Sequence, residues 1–154
     1  MQHVRFGRTG LKVSRLCLGT MTFGYQCDEE TSFAIMDAAA DAGISFFDTA
    51  DVYPLGAPPE IFGRTEEVIG RWLGTRRDDF ILATKCYFPT GPHPWDSGSS
   101  RKNIMRALDA SLRRLGTDYI DLYQLHFWDA DTPIDETLQA LDDVVRAGKV
   151  RYVG

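Results

Sequence analysis

The sequence predicts an α/β fold built on a parallel sheet, and three observations carry that expectation. Short apolar, strand-like runs alternate with segments of helical period along most of the chain. Glycines punctuate the ends of the helical segments, at Gly43, Gly74, Gly116 and Gly148. Three ionisable residues, Asp48, Lys85 and His126, each close a strand-like run, and they lie 37 and 41 residues apart, about the length of one strand–helix unit.

Each element has its own warrant. His3 to Phe6 and Leu11 to Val13 flank Gly7-Arg8-Thr9-Gly10, which reads as a hairpin over residues 1–13. Ser14 to Gly19 is a compact apolar strand. Glu29 to Ala42 is a helix with Phe33, Met36 and Ala40 on one stripe. Ile44 to Phe47 is the next strand and Thr65 to Leu73 a short helix. Phe80 to Thr84 is a strand, followed by a helix over Ser100 to Leu115 whose Ile104, Ala107, Leu108, Ser111, Leu112 and Leu115 share one face. Tyr119 to Leu125 is a strand. Thr132-Pro133 opens a last helix as N-cap and first-turn proline, with Ile134, Leu138, Leu141 and Val145 expected to be buried. Lys149 to Val153 begins a fifth strand. Such alternation implies parallel strands joined by right-handed crossovers. Residues 14–154 thus supply five strands and four helices, which read with the hairpin as one domain over 1–154.

Two long loops, Pro54 to Arg64 and Tyr87 to Ser99, are rich in Pro and Gly. Both follow a strand's carboxyl end, so both are expected to overhang the same rim. Trp95, Trp128 and Phe88 are candidates for lining a pocket there, with loop packing an equal alternative. Arg76-Arg77 with Asp78-Asp79 reads as a solvated turn.

With 154 residues the chain can bury a real core. A net charge of −5 argues against nucleic acid or an anionic membrane as partner. No apolar run approaches the roughly 20 residues that span a bilayer. Cys17, Cys27 and Cys86 are odd in number and lack metal-site spacing; Cys17 and Cys86 fall in or beside strands, where buried thiols are expected. A reducing, cytoplasmic setting follows as an expectation. Neither a Rossmann fingerprint nor a phosphate loop is present, and three histidines, with His3 and His93 far from His126, make a poor metal set.

If the strands are parallel neighbours, Asp48, Lys85 and His126 gather at the carboxyl edge of the sheet, where α/β barrels keep their chemistry. Tyr53 lies in the loop leaving Asp48's strand. Singly, each residue has an ordinary reading: a turn cap, a surface lysine, a structural histidine, a packed tyrosine. Together, an acid, a phenol, a lysine and an imidazole on one rim suggest proton transfer. A phenol surrenders its proton reluctantly at neutral pH, and an ammonium beside it favours the phenolate.

The chain resembles the N-terminal half of the aldo-keto reductases. The resemblance rests on Leu18-Gly19-Thr20-Met21-Thr22-Phe23-Gly24, then Phe47-Asp48-Thr49-Ala50-Asp51-Val52-Tyr53, Ala83-Thr84-Lys85, the run from Ser111 to His126, and Gly148-Lys149-Val150-Arg151-Tyr152-Val153-Gly154. It implies a (β/α)8 TIM-type barrel, of which these residues supply about half, since a whole one needs about 250. An open five-stranded sheet and a piece of a longer chain are both compatible with that. A bare edge at Val150 to Val153 would favour self-association. The resemblance further implies NADP(H) as cofactor and a small-molecule aldehyde or ketone as substrate. Tyr53 would be proton donor, completed by Lys85, Asp48 and His126. Gly19, Thr20, Met21 and Asp48 would lie near the nicotinamide end. In the family the carboxamide contacts, the ring-stacking aromatic and the basic adenosine-phosphate site fall after the region matched here. A catalytically silent module, or a regulatory subunit like the potassium-channel β subunits, is the alternative.

Overall fold

Residues 1–154 are all described by the computed structural model. A hairpin of β1 (His3–Arg5) and β2 (Lys12–Ser14) opens the chain, antiparallel, with Val4 opposite Val13. Five strands follow: β3 (Cys17–Gly19), β4 (Phe46–Asp48), β5 (Ile81–Cys86), β6 (Ile120–Leu125) and β7 (Val150–Val153). They form one parallel sheet in chain order, β3-β4-β5-β6-β7. Four helices make the crossovers: α1 (Glu29–Asp41), α2 (Arg64–Leu73), α3 (Arg101–Leu115) and α4 (Ile134–Arg146). This is a partial (β/α)8 barrel: the strand order and crossovers match, and the sheet stays open at β3 and β7.

Alternation along the strands sends side chains to two different places. Phe47, Leu82, Cys86 and Tyr123 enter the main core with Met36, Ile69, Ile104 and Leu108 from the helices. Phe46, Ala83 and Leu122 point the other way, where Val13 of the hairpin joins them and Phe6 packs edge-on against Phe46 at 5.8 Å. The hairpin therefore covers the helix-free face near the strands' amino ends. Ser14 fastens it there, its hydroxyl accepting the Ser45 and Phe46 N–H groups. Asp48, Lys85 and Gln124, two residues further along β4, β5 and β6 on that face, lie at the opposite end, the carboxyl rim.

Helix signals in the sequence translate locally. Ser100 caps α3 by accepting the Asn103 N–H, and Gly116 ends it at φ 64°, a conformation that costs a residue with Cβ about 1–2 kcal/mol. The whole expected face of α3 is buried. In α4 two expectations are corrected. Pro133, not Thr132, occupies the N-cap, and no side chain caps the helix; the Thr132 hydroxyl instead donates to Asp129. Its buried stripe is Thr137, Ala140, Leu141 and Val144, while Ile134 and Leu138 are 48% and 57% exposed. The apolar arc of α4 is wider than the surface that α3 and β7 offer it, so one flank stays in solvent. Val145 lies on that flank as well.

Two further expectations change. Cys17 is exposed, because β3 is an edge strand with no neighbour beyond it; Cys86 is buried as expected. Arg77 is no solvated turn residue. It pairs with Asp121 at 2.6 Å and donates to the carbonyls of Phe80 and Tyr119, tying β5 to β6. No helix is long and apolar enough to cross a membrane.

Candidate active site at the carboxyl rim

The rim is assembled by strand register. Asp48, the last residue of β4, sits level with Gly19 of β3 and Ala83 of β5. Lys85 stands two residues further along β5, inside the strand rather than after it, level with Gln124 of β6. His126 follows β6, its N–H held by the Cys86 carbonyl at 2.9 Å. Parity places Asp48, Lys85, Gln124 and His126 all on the helix-free face. The chain beyond β4 stays stitched to β5: the Thr49 N–H donates to the Ala83 carbonyl and the Asp51 N–H to the Lys85 carbonyl. Tyr53 then turns over the rim, held by its own carbonyl, which accepts from Gly63 N–H at 2.9 Å. The Tyr53–Pro54 peptide is cis.

The four expected residues meet. The Lys85 ammonium donates to one oxygen of Asp48 and, at 2.8 Å, to the Thr49 carbonyl. It lies 5.1 Å from the centre of the Tyr53 ring, within cation–π range. His126 meets the Tyr53 ring edge-on at 5.7 Å and that of Phe88 at 5.0 Å. With only 14% of its side chain exposed, Lys85 is poorly hydrated, so its attraction to Asp48 is screened less than a surface pair's. Burial, and then the charge of Lys85, hold the His126 imidazole below its ordinary range, with Asp48 offsetting part of this. At neutral pH the ring is therefore uncharged and carries one N–H. Its Nδ1 is buried without a partner.

Gln124 belongs to the rim without any motif that marks it in the sequence. Its amide donates to the second oxygen of Asp48 at 3.2 Å, so both carboxylate oxygens are engaged. The signal was available: a polar side chain two residues before His126 in an apolar strand shares its face. Thr20 is buried, with hydroxyl and N–H both given to the Asp48 carbonyl, which clasps β3 to β4. Gly19 and Met21 are the exposed parts of that segment, and a Cβ built on Gly19 meets nothing within 4 Å.

Beside Tyr53 and His126 opens an apolar cleft of about 680 Å³. Met21, Leu55, Phe62 and Phe88 line it, and no acidic or basic side chain other than His126 reaches it. Both long loops contribute, as expected. Trp128 borders a second cleft of about 520 Å³ on the far side of His126, whereas Trp95 stacks on His93. Asp129, also missed, organises that side by accepting from Ser99 N–H, Asp131 N–H and the Thr132 hydroxyl. Those bonds hold its carboxyl below the usual carboxylate range.

The profile of the Aldo/keto reductase family matches residues 15–154. The whole chain aligns with 48% of an uncharacterized oxidoreductase, YrpG, of Bacillus subtilis at 50% identity. It also aligns with 46% of a probable voltage-gated potassium channel subunit beta of Arabidopsis thaliana at 43% identity. A third relative, L-glyceraldehyde 3-phosphate reductase of Escherichia coli, is 40% identical, with 44% of its length covered. The chain thus spans about half the length of the curated relatives it matches. A profile match over most of its residues shows that the chain belongs to the aldo/keto reductase family.

Proposed function

We propose that these residues carry the proton-donating part of an NADP(H)-dependent reductase that converts aldehydes or ketones to alcohols, with Tyr53 as the acid. The observation that supports this best is the Tyr53 ring set between the Lys85 ammonium and an uncharged His126 at the end of an apolar cleft. The nicotinamide, when bound, supplies the hydride that no side chain can. The residues present fit its nicotinamide end: Gly19 leaves open space on the helix-free face, and Met21 offers apolar surface beside it. The Lys85 charge is paired with Asp48 and is not free for a phosphate end.

In this reading the carbonyl oxygen sits within reach of the Tyr53 hydroxyl and of the His126 N–H. Lys85 favours the negative charge that Tyr53 acquires when its proton leaves. Asp48 and the Thr49 carbonyl aim Lys85, and Gln124 aims Asp48. The His126 hydrogen bond orients the carbonyl and stabilises oxygen charge as it develops. Apolar walls exclude water from the exchange.

Tyr53→Phe keeps the ring and deletes the acid. In the full-length gene product it should lower kcat by about 10²–10⁴-fold, with nicotinamide binding intact by fluorescence titration. Near-parental turnover would remove the proton-donor role. A regulatory reading draws on the channel β-subunit relative. Nicotinamide binding without oxidation of NADPH by any reactive aldehyde would favour it.

A further inference from the structure

One buried acid has no part in the proton transfer above. Asp51 lies three residues after Asp48 and two before Tyr53, but its side chain passes to the helix side of the sheet. It is 2% exposed, and neither carboxyl oxygen has a hydrogen-bond partner. Glu66 of α2, Arg106 and Arg114 of α3, Cys86 of β5 and Tyr123 of β6 are the titratable and charged groups near enough for their charges and its own to act on one another. Glu66 is equally buried but compensated: it accepts from the Thr84 hydroxyl at 2.6 Å and pairs with Arg114 at 2.6 Å. Asp51 has no such donor; the nearby Val52 N–H lowers it slightly without a well-formed bond. Two like charges facing each other in a dry interior cannot both go uncompensated, so the proton falls to Asp51. Burial first, and the Glu66 charge second, push its carboxyl up to about 8.

The location gives this proton a consequence. Asp51's own N–H is bonded to the Lys85 carbonyl at 3.1 Å, and the Tyr53 N–H to the Ala50 carbonyl at 3.2 Å. The Tyr53 carbonyl is bonded to the amides that begin α2, at Gly63 and Thr65. The buried Asp51 carboxyl therefore lies on the short stretch of backbone that holds Tyr53, between the bond to Lys85 and the bonds to the start of α2. We propose that Asp51 is a positioning residue for the Tyr53 hydroxyl: as an uncharged carboxylic acid facing Glu66 it seats the turn of residues 48–53 against α2, and its ionisation unseats the phenol. The catalytic part of this rests on the reductase reading; the protonation and the seating do not.

The unfolded chain releases this proton near 3.8, and the folded chain retains it until about 8. Between those values the folded state binds more protons, so Asp51 makes stability fall as pH rises through that window and level off above it. Asp51→Asn keeps the shape and cannot ionise. Its melting temperature should exceed the parent's by a margin that widens up to about pH 8. In the parent, labelled with ¹³C-aspartate, the infrared band of a protonated carboxyl should persist at neutral pH and vanish near pH 8. The Tyr53 ring resonances, assigned with Tyr53→Phe, should shift with the same midpoint, and that step should be missing in Asp51→Asn. Asp51→Ala should lower kcat about five- to tenfold with little change in KM, with Asn restoring it.

A flat melting difference across the window, or no protonated carboxyl at neutral pH, overturns the proposal. So do Tyr53 resonances that ignore the Asp51 titration. If Asp51→Asn does not fold, the infrared and resonance titrations of the parent decide alone. Absent reductase activity would strike the reductase reading and leave these measurements standing.

Discussion

Lys85 is the residue on which most of the rim converges. Asp48 and the Thr49 carbonyl hold its ammonium, and the Tyr53 ring stands beside it. Lys85→Met keeps the stem, removes the charge and leaves Asp48 with Gln124 alone. In the proposed reaction kcat/KM should fall by about 10² or more, because a preorganised charge at the acid is lost. The pH–rate profile must change as well; a variant profile that overlays the parent's would show that Lys85 does not act through Tyr53. The acidic residues of this region illustrate how environment sets role. Asp48 has two donors and holds Lys85, while Asp51 has none and lies buried.

At the scale of elements, the crossing of α2 over the end of α3 decides where Tyr53 sits, since α2 begins at the amides that hold its carbonyl. Gly70 lets the two backbones touch. A Cβ there would lie 2.5 Å from the Arg114 carbonyl oxygen and 2.8 Å from the Leu115 carbonyl carbon. Alanine is the better helix former by about 1 kcal/mol, but overpacking against rigid backbone costs about 1–3 kcal/mol. Overpacking wins, so Gly70→Ala should lower the denaturant midpoint with an unchanged m-value. Arg114 spans the same junction, pairing with Glu66 and lying over Gly63. The side chains of α2 and α3 thus fix the backbone that carries the phenol.

For the molecule as a whole, one contiguous cluster of 22 buried residues runs from Phe23 and Met36 to Val150. It draws on β4 to β7 and on all four helices. The expected outcome is that the amides of β4, β5 and β6 exchange hydrogen through a single opening of common free energy. Exchange measured by mass spectrometry that released β6 well before β4 would divide the domain. The flank of α4 bearing Ile134 and Leu138 lies outside that cluster, and its amides should open at lower free energy.

Sequence alone determined the order and type of the elements, the parallel sheet, and four of the rim residues, because each depends on local period, on glycine stops and on strand ends. Asp48, Lys85, Tyr53 and His126 were legible for that reason. Tertiary structure decided the rest. Gln124 and Asp51 differ in surroundings because one side chain faces the open side of the sheet and the other faces the helices. Arg77 became a tie between strands because Asp121 lies within its reach. The stripe of α4 could not be read from its period, since its apolar arc admits two faces and only neighbours choose between them. Periodicity records what a segment can bury; which part is buried, and which acid stays dry, depends on what the rest of the chain brings against it.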